Sequence, residues 1–334
     1  MDDTTDLVEA ARRGDSRAFE RLVAAHRREL HAHCYRMLGS VQDAEDAVQE
    51  ALLAAWRGLP GFEGRSSLRS WLHRIATNAC LRLIDRRPRR VLSPDYGPAR
   101  TDTADLGEPV TEPIWLEPIV TDLPADAHDP EARYVQRESI ELAFVAALQY
   151  LPGTQRAVLI LRDVLKFSAA EVAELLGTTP ASVNSALQRA RKAVGERIPP
   201  RTQQAELDAL GAEGRHELVE AFVTAWERSD VAALLQLLTE DARFTMPPMP
   251  AWFLGRDDVA RFFTDRVFAT PWRLAPITVN AQLGFACYAR EADADTFRLG
   301  AVNALTLRHG KIAAINGFID PDLYRHLGLP GELS

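Results

Sequence analysis

The chain has 334 residues, of which 46% are hydrophobic, 26% are charged and only three are cysteine. This length exceeds that of a single hydrophobic core and predicts two or three domains. No apolar run approaches the roughly 20 residues that span a bilayer, and the acidic start lacks the order of a signal peptide. Three widely separated cysteines argue against a disulfide framework or a metal site. We therefore expect a cytoplasmic protein without membrane contact, metal or cofactor.

The formal net charge of −8 is unevenly distributed along the chain. Residues 1–90 carry 16 basic and 13 acidic side chains, and residues 136–197 carry 8 and 6. Residues 91–135 carry only 2 basic side chains against 10 acidic ones. Both outer blocks are mildly basic, so each can meet a phosphate backbone although the whole chain is acidic.

The first 90 residues are predicted to be helical almost throughout. Residues 43–59 form a helix with an acidic start, and Pro60-Gly61 ends it. A loop at residues 62–67 then leads into a helix from Leu68 to about Arg87. The early positions of the 43–59 helix carry acidic or amide side chains: Asp43, Glu45, Asp46, Gln49 and Glu50. They either form an acidic binding face or merely complement the helix macrodipole.

Residues 91–135 form a predicted linker. They hold seven of the 20 prolines and show little periodicity, so we expect an extended segment that packs poorly by itself. Within it, residues 114–116 (Ile-Trp-Leu) are an apolar island in acidic surroundings. Such an island is typical of a segment that docks on another surface.

Residues 136–198 form a second helical block with a predicted helix-turn-helix. A short amphipathic helix from Ser168 ends at Gly177, and Pro180 opens the next helix because its φ is preset and a first turn needs no N–H. Val183 and Leu187 would face inward, with Ala190. The outward side chains can bond base edges and phosphates; they are Ser182, Asn184, Ser185, Gln188, Arg189 and Arg191. The alternative is a pair of packed surface helices without a nucleic-acid role.

After a short connector at residues 199–212, residues 213–334 change to a mixed α+β pattern. Helical segments alternate with β-prone runs, the last two of which flank a natural hairpin turn at His309-Gly310. The predicted fold class is therefore multidomain, with two all-α helical domains followed by an α+β domain.

Three segments in this order resemble the extracytoplasmic-function (ECF) group of the sigma-70 family. Residues 43–57 resemble the conserved-region-2 helix that grips the RNA polymerase clamp, and residues 62–80 resemble the segment that opens and reads the −10 element. The helix-turn-helix resembles region 4, which reads the −35 element. The resemblance implies region 2 over residues 1–90 and region 4 over residues 136–198. It also implies RNA polymerase core, through its beta-prime clamp, and promoter DNA as partners.

The side-chain types of the −10 segment agree with this role. Promoter melting needs cations for the backbone and a pocket or aromatic ring for an unstacked base. The residues expected to supply them are Phe62, Arg65, Ser66, Ser67, Arg69, Trp71, Arg74 and Asn78. Trp71 is equally compatible with a core position. The cationic tail expected to meet upstream phosphates consists of Arg82, Arg86, Arg87, Arg89 and Arg90, although residues 87–90 are also compatible with a solvated helix end. Asn184 stands where ECF factors often carry Arg or Lys, which implies a shifted −35 preference.

Residues 214–320 resemble the SnoaL-like branch of the NTF2-like superfamily, a curved sheet wrapped by helices into a cone with an apolar pocket. The residues expected to line the pocket are Met246, Trp252, Phe263, Tyr288 and Asn303, which are also typical of plain core. In extended ECF factors a Trp-containing linker motif and a terminal Asn-Pro-Asp-Lys-Leu-type motif take part in regulation. Trp115 and the run Asp320, Pro321, Asp322 correspond to them here, although the terminal Asn and Lys are missing.

No acid–base pair stands out in the cone, so we expect a regulatory or ligand-sensing module, open to a small-molecule ligand, and not an enzyme. The preferred interpretation is a sigma factor that directs polymerase core to specific promoters, with the cone modulating its activity. Two alternatives stay open: a SnoaL-type cyclase or isomerase fused to DNA-binding helices, and a metabolite-responsive repressor that binds operators without polymerase.

Overall fold

The computed structural model describes residues 3–64, 66–120, 137, 139–290 and 295–333. The chain forms two compact units. Met1–Arg90 and Phe144–Ile198 make up the first, here called the helical unit, and Val91–Ala143 and Pro199–Ser334 make up the second, the cone unit. The predicted fold class, helical modules followed by an α+β domain, is confirmed. The described part of the linker, residues 91–120, lies in the cone unit.

The elements have the following bounds. The helices are α1 Asp3–Arg12, α2 Ser16–Leu38, α3 Val41–Gly58, α4 Leu68–Ile84, α5 Ser93–Tyr96, α6 Leu142–Leu148, α7 Gly153–Leu159, α8 Ala169–Leu176, α9 Pro180–Gly195, α10 Gln203–Glu227, α11 Val231–Leu237, α12 Arg256–Asp265 and α13 Pro321–Tyr324. The strands are β1 Leu238–Thr245, β2 Trp252–Leu254, β3 Trp272–Val279, β4 Gln282–Ala289, β5 Phe297–Arg308, β6 Lys311–Phe318 and β7 Glu332–Leu333. A π-helical turn, Ile160–Val164, continues α7, and Gly211 breaks α10 with φ 69°.

The predicted helix-turn-helix is present, and local capping explains its ends. Ser168 and Glu171 form a reciprocal capping box at the start of α8, which satisfies two backbone N–H groups that a helix start leaves unpaired. Gly177 ends α8 with φ 63°, a left-handed conformation that glycine adopts without a Cβ penalty. Thr179 then caps α9, with Pro180 at its first helical position.

A buried arginine joins the two helical blocks of the helical unit. Arg156 of α7 donates hydrogen bonds to the backbone oxygens of Gln149 at 3.0 Å and Leu151 at 3.2 Å, and it also donates to the oxygen of Met37 at the end of α2. Burial lowers the pKa of Arg156 to about 10, a value at which the guanidinium stays charged at neutral pH. A buried cation is tolerated only when hydrogen bonds satisfy it, so these carbonyl groups fix how the blocks meet.

Two buried histidines lie inside the packing of α2 against α4. His33 Nε2 and Thr77 Oγ1 are 2.9 Å apart, and His73 Nδ1 donates to the backbone oxygen of Arg69 at 2.8 Å. Neither imidazole is exposed to solvent. Burial lowers the pKa of both rings, that of His33 well below its usual value, with further lowering of His33 by His73 and Arg36.

The cone unit is built on a mixed sheet with strand order β2-β1-β6-β5-β4-β3, in which β7 pairs with β5. The β1–β6 pair is parallel and the other pairs are antiparallel. His309 and Gly310, with φ of 53° and 73°, make the predicted hairpin turn between β5 and β6. The helices α10 and α12 bury aromatic side chains against one face of the sheet; the central rings are Phe222, Trp226, Phe244, Phe263 and Phe285.

The linker packs along the cone instead of remaining extended and unpaired. The Arg100 N–H donates to the Trp252 oxygen at 2.7 Å, and the Val110 N–H donates to the Pro248 oxygen at 2.9 Å. Arg266, at the end of α12, donates to the oxygens of Thr103 at 2.9 Å and Ala104 at 3.0 Å. A proline-rich segment has few local partners for its carbonyl groups, and the cone supplies them.

A second part of the linker meets the turn between β3 and β4. The side-chain oxygen of Asn280 accepts a hydrogen bond from the Ile119 N–H at 3.0 Å, and its amide donates to the Ile140 oxygen at 2.7 Å. The Glu141 carboxylate accepts from the N–H groups of Gln203 and Gln204 at the start of α10. The segment at residues 139–142 is therefore tied to the cone by buried, directional bonds.

We predict that acid weakens the helical unit through His33. Its pKa is lower in the folded chain than in the unfolded one, so below the ordinary histidine pKa of 6.5 only the unfolded chain gains this proton. Stability is then lost as the pH falls, by up to about 1.4 kcal/mol per pH unit for such a group. The His33→Gln variant is expected to reduce that slope in urea unfolding followed by circular dichroism.

The matched control is His216→Gln, since His216 is exposed on α10. It should keep the wild-type slope of unfolding free energy against pH. Equal slopes for the His33→Gln variant and the wild type would contradict this origin of acid sensitivity.

Candidate polymerase and nucleic-acid interfaces

One face of α3 carries exposed polar side chains around an exposed leucine. Asp46, Gln49 and Glu50 are exposed, and Leu53, which follows on the same face, is 58% exposed. Glu50 also pairs with Arg82 of α4 at 2.5 Å, both side chains being about half exposed. Single exposed apolar side chains are common on protein surfaces, so the polar side chains are what mark this face.

Asp43 does not belong to that exposed face. It is 3% exposed, and its carboxylate pairs with both Arg87 and Arg90. Arg90 is itself buried. The predicted polymerase-binding set is therefore corrected: Asp43 faces inward, while Glu45 is half-buried at the margin. Arg87 and Arg90 are held by this carboxylate, so they do not form a free cationic tail.

Several predicted −10 residues line one pocket. Its walls come from the start of α4, the loop before it and the helix α8, and they enclose about 260 Å³. The lining residues are Ser66, Ser67, Ser70, Trp71, Arg74, Glu171, Glu174 and Leu175. Ser67 caps α4 by accepting from the Ser70 N–H at 3.1 Å. Ser70 was missed from sequence because its position one turn into the helix carries no motif signal.

The other predicted −10 residues lie around this pocket. Phe62 packs on Trp71 with ring centroids 4.9 Å apart, and Trp71 is 7% exposed, so it contributes to the core and to the pocket wall. Asn78 is exposed one helical turn beyond Arg74. Arg65 lies outside the described residues.

Arg69 is engaged within the helical unit. Its Nε donates to both Glu29 oxygens at 3.1 and 3.0 Å, and another guanidinium nitrogen donates to the Leu165 oxygen at 3.2 Å. The guanidinium also lies 4.5 Å from the ring centroid of Phe167. Arg69 therefore links α4 to the turn before α8 by a hydrogen bond.

The outward face of α9 carries all the predicted −35 residues. The exposed side chains are Ser182, Asn184, Ser185, Gln188, Arg189 and Arg191, while Val183, Leu187 and Ala190 are buried as expected. Arg191 forms a two-pronged ion pair with Asp163, at 2.7 and 2.8 Å. The other five have open access along one helix face, which is the geometry of a recognition helix.

The predicted pocket of the cone is only partly assembled. Met246 and Phe263 belong to the apolar core between sheet and helices. The Asn303 side chain lies on the same side of the sheet as this core. A Cβ placed at Gly317 would lie 3.6 Å from the core ring of Phe244, and the Asn303 Oδ1 is 2.9 Å from that same position.

Trp252 and Tyr288 are corrections to the predicted pocket. Tyr288 packs in a separate cluster with Phe297, because adjacent residues of a strand face opposite sides and Cys287 takes the inner one. Trp252 donates its indole N–H to the Gly97 oxygen at 2.8 Å, so its polar edge is turned to the linker.

The predicted regulatory residues lie in the linker and in the final turn of the cone unit. Trp115 is buried, donates its indole N–H to the Val110 oxygen at 3.1 Å and packs on Tyr96 with centroids 5.1 Å apart. Asp320 caps α13 by accepting from the Asp322 N–H at 3.0 Å. Pro321 and Asp322 are exposed.

Among the described residues, no metal site, membrane-spanning helix or disulfide bond is present. No His, Cys, Asp or Glu cluster of three or more there could hold a metal ion. None of the described helices combines the length and apolarity of a membrane span. Cys34, Cys80 and Cys287 are free thiols, and all are buried.

Comparison with known proteins gives three family matches in chain order. Residues 22–90 match Sigma-70 region 2, residues 141–194 match Sigma-70 region 4, and residues 219–315 match the SnoaL-like domain. The helical unit and the cone together thus define a sigma factor of the sigma-70 family that carries a C-terminal α+β extension.

Similarity over the full length narrows this class. The chain is 42% identical to the ECF RNA polymerase sigma factor SigG of Mycobacterium tuberculosis over 329 residues, which covers 96% of this chain and 86% of SigG. It is 31% identical to SigJ of the same species over 318 residues, covering 90% and 91%. The crystal structure of SigJ aligns with a TM-score of 0.59 at 27% identity, covering 92% of this chain and 98% of SigJ.

The chain belongs to the ECF sigma factors, and it directs transcription initiation. Sigma factors bind RNA polymerase core and promoter DNA. The expectation of a sigma factor with a SnoaL-like domain, as opposed to an enzyme, is confirmed by these relationships.

We predict that Asp43→Ala destabilises the helical unit by about 3 kcal/mol, the usual cost of breaking a buried ion pair by removing one member. Arg90 would then be buried without this carboxylate. Urea unfolding followed by circular dichroism measures the change. Asp46→Ala, an exposed carboxylate on the same helix, should stay within about 0.5 kcal/mol of wild type, and equal losses for the two variants would contradict the inward role of Asp43.

Proposed function

We propose that three separate surfaces carry out promoter-directed initiation. The exposed face of α3, with Asp46, Gln49, Glu50 and Leu53, binds the polymerase core. The pocket at the start of α4 takes a base of the −10 element, and the outer face of α9 reads the −35 element. Acting with polymerase on promoter DNA, the protein works in the cytoplasm. The observation that carries this proposal is the placement of α9, whose polar face is exposed while its apolar face is buried.

The chemistry of α9 supports base readout. Gln188 and Asn184 have amide groups that donate and accept at once, the pattern that recognises adenine in the major groove, and Arg189 can bond guanine or phosphate. Arg191 is held by Asp163, which suits a backbone contact more than base recognition. Asn184, Gln188 and Arg189 are therefore assigned to base recognition, and Arg191 is assigned to a contact with the DNA backbone.

The pocket before α4 supports recognition of an unstacked base. Serine hydroxyls from Ser66, Ser67 and Ser70 can bond a base edge, and Trp71 forms an apolar wall. The arginine at position 74 is exposed and can neutralise the adjacent phosphate. A pocket of about 260 Å³ is smaller than the roughly 300–1,000 Å³ typical of drug-sized ligands, which fits a single base.

The cone modulates initiation through the linker. Because residues 97–110, Ile119, Ile140 and Leu142 are bonded to the cone, less free chain is available between region 2 and region 4 than the sequence length allows. The tether between the two DNA-reading regions is thereby shortened, and release of the linker lengthens it.

Two buried donors support a ligand-sensing role for the cone. The indole N–H of Trp226 and the amide nitrogen of Asn303 have no hydrogen-bond partner within the described chain, and both residues are 2% exposed. Buried donors are normally satisfied. A small apolar molecule with oxygen acceptors would satisfy them.

The −35 assignment predicts an altered base preference for Gln188→Ala. Holoenzyme reconstituted with this variant should bind a promoter selected from random DNA about tenfold more weakly, because a two-pronged base contact contributes roughly 1–3 kcal/mol. Gln236→Ala, an exposed glutamine on α11, is the matched control and should bind as wild type. An unchanged affinity and unchanged −35 preference for Gln188→Ala would remove the assignment.

The linker assignment predicts that Arg266→Ala raises transcription from promoters with lengthened spacers by roughly fivefold, since two hydrogen bonds of about 0.5–1.5 kcal/mol each are lost. Arg261→Ala provides the control, because Arg261 lies on α12, close in sequence to Arg266, and pairs locally with Asp258. In-vitro transcription over a series of spacer lengths gives the result. If both variants gave the same dependence of transcription on spacer length, docking of the linker would not set the distance between the two DNA-reading regions.

A further inference from the structure

The π-helical turn before the helix-turn-helix carries a carboxylate that lies outside the three proposed surfaces. Asp163 belongs to this turn, Ile160–Val164, and pairs side-on with Arg191 of α9. The Arg191 Nε donates to Oδ2 at 2.8 Å, and Nη2 donates to Oδ1 at 2.7 Å. A two-bond pair of this kind fixes the direction of a guanidinium as well as its position.

The backbone around Asp163 has an unusual geometry that its own hydrogen bonds hold. The Leu165 N–H donates to the Ile160 oxygen at 3.0 Å, which closes the turn. Lys166 follows with φ 61°, a left-handed conformation that is unfavourable for a residue with a Cβ. Because a π turn closes over five residues instead of four, Asp163 projects in a different direction from that of a continued α-helix. The carboxylate is therefore directed at α9 by a defined turn.

The pair leaves one edge of the Arg191 guanidinium open. A guanidinium has five N–H donors, and the side-on pair uses one on Nε and one on Nη2. The end-on edge, formed by Nη1 and the second N–H of Nη2, has no partner in the part of the chain that the structure describes. The Arg191 side chain is 59% exposed. Two N–H groups on one edge match two oxygens of a phosphate.

Arg191 lies at the margin of the outward face of α9. It follows Asn184 by seven residues, about two turns along the same side of the helix, and its neighbour one turn earlier, Leu187, is buried. When a helix enters the major groove, side chains at the centre of its face meet base edges, and those at the margin meet the sugar-phosphate backbone. Asp163 thus lies behind a side chain that is directed at the backbone.

We propose that Asp163 is a positioning residue for promoter binding, which holds Arg191 so that its free Nη edge meets a backbone phosphate beside the −35 element. The proposal rests on the −35 role proposed for α9 and deepens it. An arginine that is free in solution loses rotamer entropy when DNA fixes it, and this loss reduces affinity. Arg191 has already lost that freedom in the folded chain, because Asp163 holds it.

The sign of the charge effect makes the proposal testable. Asp163→Asn removes a negative charge, so general electrostatics alone would strengthen DNA binding. We expect the reverse: holoenzyme with Asp163→Asn should bind a promoter duplex roughly fivefold more weakly than holoenzyme with Glu196→Gln. Glu196→Gln is the matched control, since it removes the same charge from an exposed residue just beyond α9. The duplex is selected with wild-type holoenzyme, and fluorescence anisotropy at one salt concentration gives both affinities.

Two further measurements separate positioning from folding. In an Arg191→Gln background, Asp163→Asn should cause no additional loss, because the side chain through which it acts is gone. The loss caused by Asp163→Asn should also be the same on a duplex with a scrambled −35 element, since a phosphate contact carries no sequence information. A distorted α9 would instead lose discrimination between the two duplexes.

Binding by Asp163→Asn that equals or exceeds that of Glu196→Gln would overturn the proposal. A further loss in the Arg191→Gln background, or lost discrimination between the duplexes, would overturn it as well. If Arg191→Gln weakens binding and Asp163→Asn does not, the −35 role of α9 stands and the positioning role alone fails. Wild-type affinity in Arg191→Gln is a different result, since it would remove the backbone contact proposed for Arg191 and the role of Asp163 with it.

Discussion

A buried guanidinium bonds the two helical blocks to each other. Arg156 is fully enclosed, and its bonds to carbonyl groups on both blocks replace the water that a cation would otherwise keep. Carbonyl oxygens at helix ends are the natural acceptors, because the last turn of a helix leaves them unpaired. The position of region 4 against region 2 therefore depends on directional bonds, whereas apolar burial alone would tolerate sliding. Arg69 also connects the two blocks, because its guanidinium donates both to Glu29 of α2 and to the Leu165 oxygen.

Directional hydrogen bonds also hold the linker in the cone unit, where the bonding groups on the linker belong to its backbone. Its N–H and C=O groups find partners in Trp252, Pro248, Arg266 and Asn280. Each bond is weak, but several along one segment hold it cooperatively. The tethering segment is therefore packed on the cone, whereas the reading face of α9 is exposed.

Local signals were enough to predict much of the fold. The cap at Thr179, the proline that follows it and the glycine ending α8 lie next to one another in sequence, so the helix-turn-helix could be identified from residue type and spacing. What sequence could not reveal were pairings across long separations. Asp43 looked like a surface carboxylate although Arg90 lies against it. Tyr288 was assigned to the wrong face because the neighbouring strands and helices decide which side of β4 meets the core. The acidic linker looked unstructured because its partners are about 150 residues away.

The central claim is that region 4 packs on region 2 in the free chain, with α8 against the −10 pocket, and that the two regions separate on the promoter. All three native cysteines are buried, so spin labels can be attached to cysteines introduced at Glu20 and Glu196, both exposed. Pulsed electron resonance would measure the distance between the labels in the free chain and in holoenzyme bound to a selected promoter. The account predicts one short distance in the free chain and an increase of tens of ångströms in the complex. The same distance in both states would contradict it.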